Sequence, residues 1–134
     1  MTRESNLSIK AKHNYKVANY SERKRYYDVA ISRYYYYLYQ NIIDYISING
    51  LEINTNNNLN SHYNTIATFI SSISKDYNLD KEDLQKIYLL QKLRAVRNSA
   101  DYKDELRNKT TYEEDFKKIF TTLNEIIIDR LRLW

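Results

Sequence analysis

Proline and cysteine are missing from this 134-residue chain, and glycine occurs once, at position 50. Glycine-rich phosphate loops, doubly wound sheets and hairpin-rich β folds all place Gly or Pro at their turns, so these classes are nearly excluded. Without cysteine there is no disulfide, no thiolate metal ligand and no cysteine nucleophile, a usage that suits a reducing cytosol. Long apolar runs are lacking too: no segment approaches the roughly 20 residues that span a bilayer. The opening MTRESNLSIKAK has no apolar central run of the kind a secretory signal needs. The expectation is a cytoplasmic protein that does not engage a membrane.

What remains is a globular composition, 43% hydrophobic and 28% charged, over a length that fits one domain spanning residues 1–134. A net charge of +4 with a pI near 9.1 is compatible with RNA or DNA as a partner. It is equally common among proteins that bind neither. Abundant Asn, Ile, Lys and Tyr beside so little Gly and Pro suggests an AT-rich bacterial or phage-like genome.

The aromatic balance is lopsided, with 15 Tyr against 3 Phe. The run Tyr34-Tyr35-Tyr36-Tyr37 points in four directions on a helix, so it cannot all be core. Tyrosines can stack on unpaired bases. They can also fill half-buried seams with the ring packed and the hydroxyl wet, which suits most of them better here.

Periodicity predicts helices throughout. A weak first helix covers Asn6 to about Val17. A longer one starts near Ser21, where Ser-Glu-Arg-Lys offers an N-cap and an early acid, and it stops at Gly50. Its apolar face uses Tyr27, Ile31, Tyr34, Leu38, Asn41, Ile42 and Tyr45. An asparagine-rich loop occupies about 50–60. Ser61 caps a third helix with Ile66, Phe69, Ile70 and Ile73 as its stripe. Asp80 caps a fourth, running from Lys81 to about Arg107 with Leu84, Ile87, Leu90, Leu93 or Arg94, and Arg97 on one side. Thr111 opens the last, Glu114 completing a capping box, with Phe116, Ile119, Leu123, Ile126, Ile127 and Leu131 as core positions. The fold class is all-α, a bundle of four or five helices.

One stretch carries more than a bundle requires: LRAVRNSADYKDEL, from Leu93 to Leu106. Spacings of three and four bring Arg94, Arg97, Asn98 and Asp101 onto one helical surface. Read plainly, this is a solvated face with an Arg97–Asp101 pair contributing a few tenths of a kcal/mol. Read functionally, it holds an anion.

The segment DVAISRYYYYLYQNI resembles the second-helix signature of HEPN domains, a Ser-Arg pair followed by Tyr-Tyr, with Ser32, Arg33, Tyr35 and Tyr36 in place. SHYNTIATF looks like the start of the family's next helix, with His62 at its head. RNSADY is similar to the family's Arg-Asn/Glu-x-Ala-Asp-Tyr variant of its Arg-x4-6-His motif. The matches occur in the right order and cover about Tyr26 to Asp104. They lie closest to the bacterial branch often found beside a minimal nucleotidyltransferase.

The resemblance implies a helical bundle that forms a symmetric homodimer, with the Arg motifs of two protomers meeting in a cleft. It implies RNA as target and cleavage without metal or cofactor, in a toxin–antitoxin or phage-defence system. A nucleotidyltransferase-type antitoxin is the implied protein partner. Such cleavage needs a base for the ribose 2′-OH, a cation for the phosphate, and an acid for the leaving 5′ oxygen. Arg97 suits the cationic role because its planar fork can hold two phosphate oxygens. Asn98 and Arg94 are candidate phosphate or ribose contacts.

Where active members carry His, this chain has Tyr102. Free Tyr titrates near ~10 and His near ~6.5, so Tyr102 is a poor base at neutral pH. His62 at a helix start is a candidate acceptor if the fold brings it near Arg97, or else a locally bonded helix-start residue. His13 reads as surface. Asp101 is either a base raised by burial or the group that holds Arg97. Arg33 lines the cleft, or it is structural and pairs with Asp28 or another acid. Two functional classes follow: an RNA-cutting HEPN-like protein, and a non-catalytic module that binds RNA, a nucleotide or a nucleotidyltransferase-type partner. A structural helical protein of unrelated role is the third.

Overall fold

The structure is a computed structural model and describes residues 4–53 and 61–134. Among the described residues it contains helices and no strand. None of those helices is long and apolar enough to cross a membrane.

Helix α1 (Asn6–Arg23) begins where the Ser5 side chain accepts from the Ser8 N–H at 3.0 Å, satisfying one of the donors a helix start leaves free. It runs past the Val17 boundary expected from the sequence and takes in Ser21, which is therefore no N-cap. Ser21 is buried, and its carbonyl accepts from the Tyr26 N–H at 2.8 Å as the chain reverses. The reversal places Arg25 at φ 63, a left-handed conformation that costs a side-chain-bearing residue about 1–2 kcal/mol.

Helix α2 (Tyr27–Ile48) is the axis of the fold. It packs most extensively against α1 and also meets the third helix, residues 89–102 and the start of the C-terminal rod. A helix covered on so many sides buries residues outside a single stripe. Tyr34, Tyr35 and Tyr37 are consequently all buried, and only Tyr36 of that run is half-buried. The helix ends through Gly50 at φ 62, as the sequence suggests, with the Leu51 N–H bonded back to Ile46 at 3.0 Å.

Helix α3 (Ser61–Asp76) buries Ile66, Phe69, Ile70 and Ile73, each worth roughly 1.5–3 kcal/mol of transfer free energy. Most of the expected loop, residues 54–60, lies outside the described residues. Asp80 caps the next helix, its side chain accepting from the Asp83 N–H at 2.8 Å. The single helix expected from Lys81 to Arg107 is instead two, α4 (Lys81–Ile87) and α5 (Leu89–Tyr102), broken at the exposed Tyr88. Residues 103–108 are not helical.

The C-terminal rod consists of α6 (Lys109–Tyr112), a π segment Glu113–Lys117, α7 (Lys118–Asn124) and a second π segment Glu125–Arg130. Its cap is Asn108, which accepts from the Thr111 N–H at 2.9 Å, so Thr111 is the third residue in and not the opening one. Phe116, Leu123, Ile126 and Ile127 are buried as expected, with Ile119 and Leu131 partly so.

Two polar cross-links tie the rod down. Arg130 grips the buried Asp83 of α4 with two parallel bonds of 2.5 and 2.6 Å, and this holds the Asp83 carboxyl below its usual range. Near α1, Tyr112 and Lys117 both donate to Glu22 Oε1 at 2.8 Å. Lys117 also donates to the Tyr34 hydroxyl at 3.0 Å, and Tyr34 donates to Asn19 Oδ1. Burial pushes the Glu22 carboxyl up, but the bonds from Lys117 and Tyr112 outweigh it and leave the pKa lowered.

Candidate functional site

On α5 the core-facing positions are Leu90, Leu93 and Arg97. The helical spacing that buries two leucines therefore drives a guanidinium inward as well. Arg97 is only 6% exposed, and a buried charge needs partners. It finds two rings of α2: Cζ lies 5.0 Å from the centre of Tyr35 and 5.5 Å from that of Tyr36, within range for cation–π attraction. NH1 reaches Asp101 Oδ2 at 3.4 Å, an i,i+4 pair. NH2 lies 3.5 Å from Nδ1 of His62. Among the described residues the Nε of Arg97 is buried with no hydrogen-bond partner. Burial works against the charge, yet Tyr36, Tyr35 and Asp101 hold the pKa above the ordinary arginine value. Arg97 is cationic at every working pH.

His62, in the first turn of α3, is the second member. The Tyr35 hydroxyl is 2.8 Å from its Nδ1, and the Tyr39 ring stacks on the imidazole at 4.0 Å with only 4° between planes. Burial, then Arg97 and Arg94, lower the His62 pKa, so the ring is neutral near pH 7. Burial also pushes the Tyr35 phenol far above its usual range, so it keeps its proton. His62 thus does come to Arg97. His13 is exposed and lies elsewhere on α1.

The other sequence candidates are placed unevenly. Arg94 donates from Nε to Gln91 at 3.2 Å and lies 5.7 Å from the Tyr63 ring. Asn98 is half-buried on the same helix. Arg33 donates to Asn14 Oδ1 at 3.1 Å and sits 5.4 Å from the centre of the Tyr36 ring that Arg97 also covers. It does not pair with Asp28. That carboxylate accepts from the Arg107 N–H at 3.2 Å and faces its guanidinium. Tyr102 is 79% exposed at the last residue of α5, and among the described residues no hydrogen bond or ring contact joins it to Arg97.

Neither the family models, the curated proteins nor the solved structures match this chain.

The side chains therefore speak for themselves. Three guanidiniums gather here, Arg97 over Tyr35 and Tyr36, Arg33 over Tyr36 and Arg94 over Tyr63, with the neutral imidazole of His62 beside Arg97 and Asp101 bonded to Arg97. Such an excess of positive charge suits an anion. Among the described residues no cluster of three or more His, Cys, Asp or Glu is placed to hold a metal ion. Tyr35, Tyr36 and Tyr39 are neighbours of this candidate site that picking by charge and basicity passes over. Their signal was available: Tyr35 and Tyr39 are four residues apart, hence on one face, and that face differs from the Tyr34–Leu38 stripe.

Proposed function

We propose that this chain is a HEPN-like, RNA-targeting protein that works as a symmetric dimer in a bacterial toxin–antitoxin or phage-defence system. One observation carries the reading. The three segments that resemble the family, separated by 27 and 35 residues in the bonded pairs, meet at one point where Tyr35, His62 and Arg97 touch. A neutral, partly buried imidazole beside a buried cation is the kind of perturbed pair that marks candidate functional sites. The symmetric dimer is part of what the resemblance to that family implies. The test is incubation of the purified protein with tRNA and mRNA beside an Arg97→Ala variant, with circular dichroism to check folding. Binding or cleavage that depends on Arg97 supports the reading. Equal behaviour of the two folded proteins removes it.

A second reading is favoured by the shortage of a free base. Asp101 is already bonded to Arg97, and Tyr102 faces solvent. On this reading the module binds RNA, a nucleotide or a nucleotidyltransferase-type partner without cutting. RNA bound in an Arg97-dependent way and recovered intact selects it over the endoribonuclease.

A further inference from the structure

We infer that Tyr35 holds His62 in the tautomer protonated at Nε2, so that the imidazole donates a hydrogen bond to an oxyanion beside Arg97 and does not serve as a base. The inference deepens the RNA reading above and rests on it for the natural ligand, a backbone phosphate.

Four observations converge. A guanidinium has five N–H donors and no acceptor, so an N–H on Nδ1, 3.5 Å from Arg97 NH2, would set two positively polarised hydrogens against each other. The Tyr35 hydroxyl, in a residue only 2% exposed, is 2.8 Å from the same Nδ1. A buried phenol that keeps its proton needs an acceptor; Arg97, which also bonds this hydroxyl, can only donate, so Nδ1 is the acceptor beside it. The parallel Tyr39 ring at 4.0 Å fixes the imidazole plane, so Nδ1 stays turned toward Tyr35. Nε2 has no hydrogen-bond partner among the described residues and is not among the buried unpartnered atoms. Among the described residues it is open to a ligand.

With its lone pair on Nδ1 occupied and its proton on Nε2, His62 offers nothing to accept the 2′-OH proton of a ribose. It can contribute one N–H toward a phosphate oxygen, next to the fixed charge of Arg97. The groups around the ring are Tyr35, Tyr36, Tyr39, Arg94 and Arg97, with Asp101 on the far side of the guanidinium. None of them pulls a proton onto Nδ1. Tyr35 is thus a positioning residue, acting through the imidazole as carboxylates orient histidines in other sites.

The chain has only two histidines, so nitrogen-15 NMR of the ring nitrogens reads His62 directly, with exposed His13 as the internal control. In the full-length protein at neutral pH we expect His62 to carry its proton on Nε2. Adding inorganic phosphate shifts the Nε2 signal and leaves His13 unmoved. Tyr35→Phe removes one hydroxyl, keeps the helical circular-dichroism spectrum, and moves the tautomer ratio of His62 from one-sided toward even. A wild-type ring protonated at Nδ1 overturns the inference, as does an unchanged ratio in folded Tyr35→Phe. Absence of any phosphate shift overturns the donor role. A shift with phosphate but none with a short RNA oligonucleotide leaves this inference standing and sinks the RNA reading instead.

Discussion

Two clusters of tyrosine and cation lie one residue apart on α2. Around Tyr34, a lysine, a carboxylate, two phenols and an amide close on one another. Around Tyr35, an arginine, an imidazole and two rings leave capacity over: among the described residues, the Nε of Arg97 is buried and unpartnered and one edge of His62 is open. The residue types are nearly the same, and both phenols are pushed up by burial. What separates them is satisfaction. A polar network whose members are all bonded ties helices together, whereas one left incomplete keeps capacity for a further partner, water or ligand.

Substitutions can break that contrast. Arg97→Ala should be the most damaging, at about 3 kcal/mol, because it removes a buried stem and two ring contacts at once. Thermal unfolding followed by circular dichroism measures the loss. Arg97→Met sharpens the point: a flexible apolar chain of similar length should leave stability near the wild-type value while abolishing Arg97-dependent RNA binding in a gel-shift assay. A methionine variant as unstable as the alanine one would make Arg97 a structural residue only.

Glu22→Ala acts on the other cluster. Leaving Tyr112 and Lys117 without their shared acceptor should cost about 1–3 kcal/mol, with RNA affinity unchanged once the protein is folded. Loss of affinity there would erase the distinction drawn between the two clusters.

The pH response should be smaller. An unfolded histidine takes up a proton near 6.5, and folded His62 takes it up only at lower pH. Between those values acid favours the unfolded chain, so stability is full above about 6.5 and falls as pH drops toward the lowered value. Comparing denaturant midpoints of wild type and His62→Asn from pH 7 to 5 isolates this contribution; parallel curves would show that the ring is not held neutral. Least of all, Tyr102→Phe should change stability by under about 0.5 kcal/mol and leave RNA binding and cleavage intact. A clear loss of cleavage would return Tyr102 to the chemistry.

The helical class could be read from the near absence of Gly and Pro, and the stripe of α3 from spacing alone. Asp80 was legible as a cap because its side chain is local to the backbone it satisfies. Ser21 misled for the same chemistry: a serine followed by an acid has the form of a cap, but here the chain turns four residues later, through a left-handed Arg25 that no residue preference announces. Thr111 was displaced by Asn108 because both can cap, and only the tertiary position of the rod chooses between them. The Tyr88 break likewise has no local breaker residue. At the site, Arg97 and Asp101 could be paired from i,i+4 spacing. The approach of His62 and Tyr35 depends on how α3 lies across α2, which spacing within one helix does not encode.

Arg107 gives the fold one last property. From the non-helical stretch after α5, it bonds to Asp28 at the head of α2, to Ser99 on α5 and to Asp115 on the rod, the last at 3.1 Å. A single residue thus works like a keystone between three beams: none can slide without either carrying the other two or breaking its grip. Its hold on α5 is at Ser99, two residues from Arg97, so a pull on the rod reaches α5 within one helical turn of the buried guanidinium.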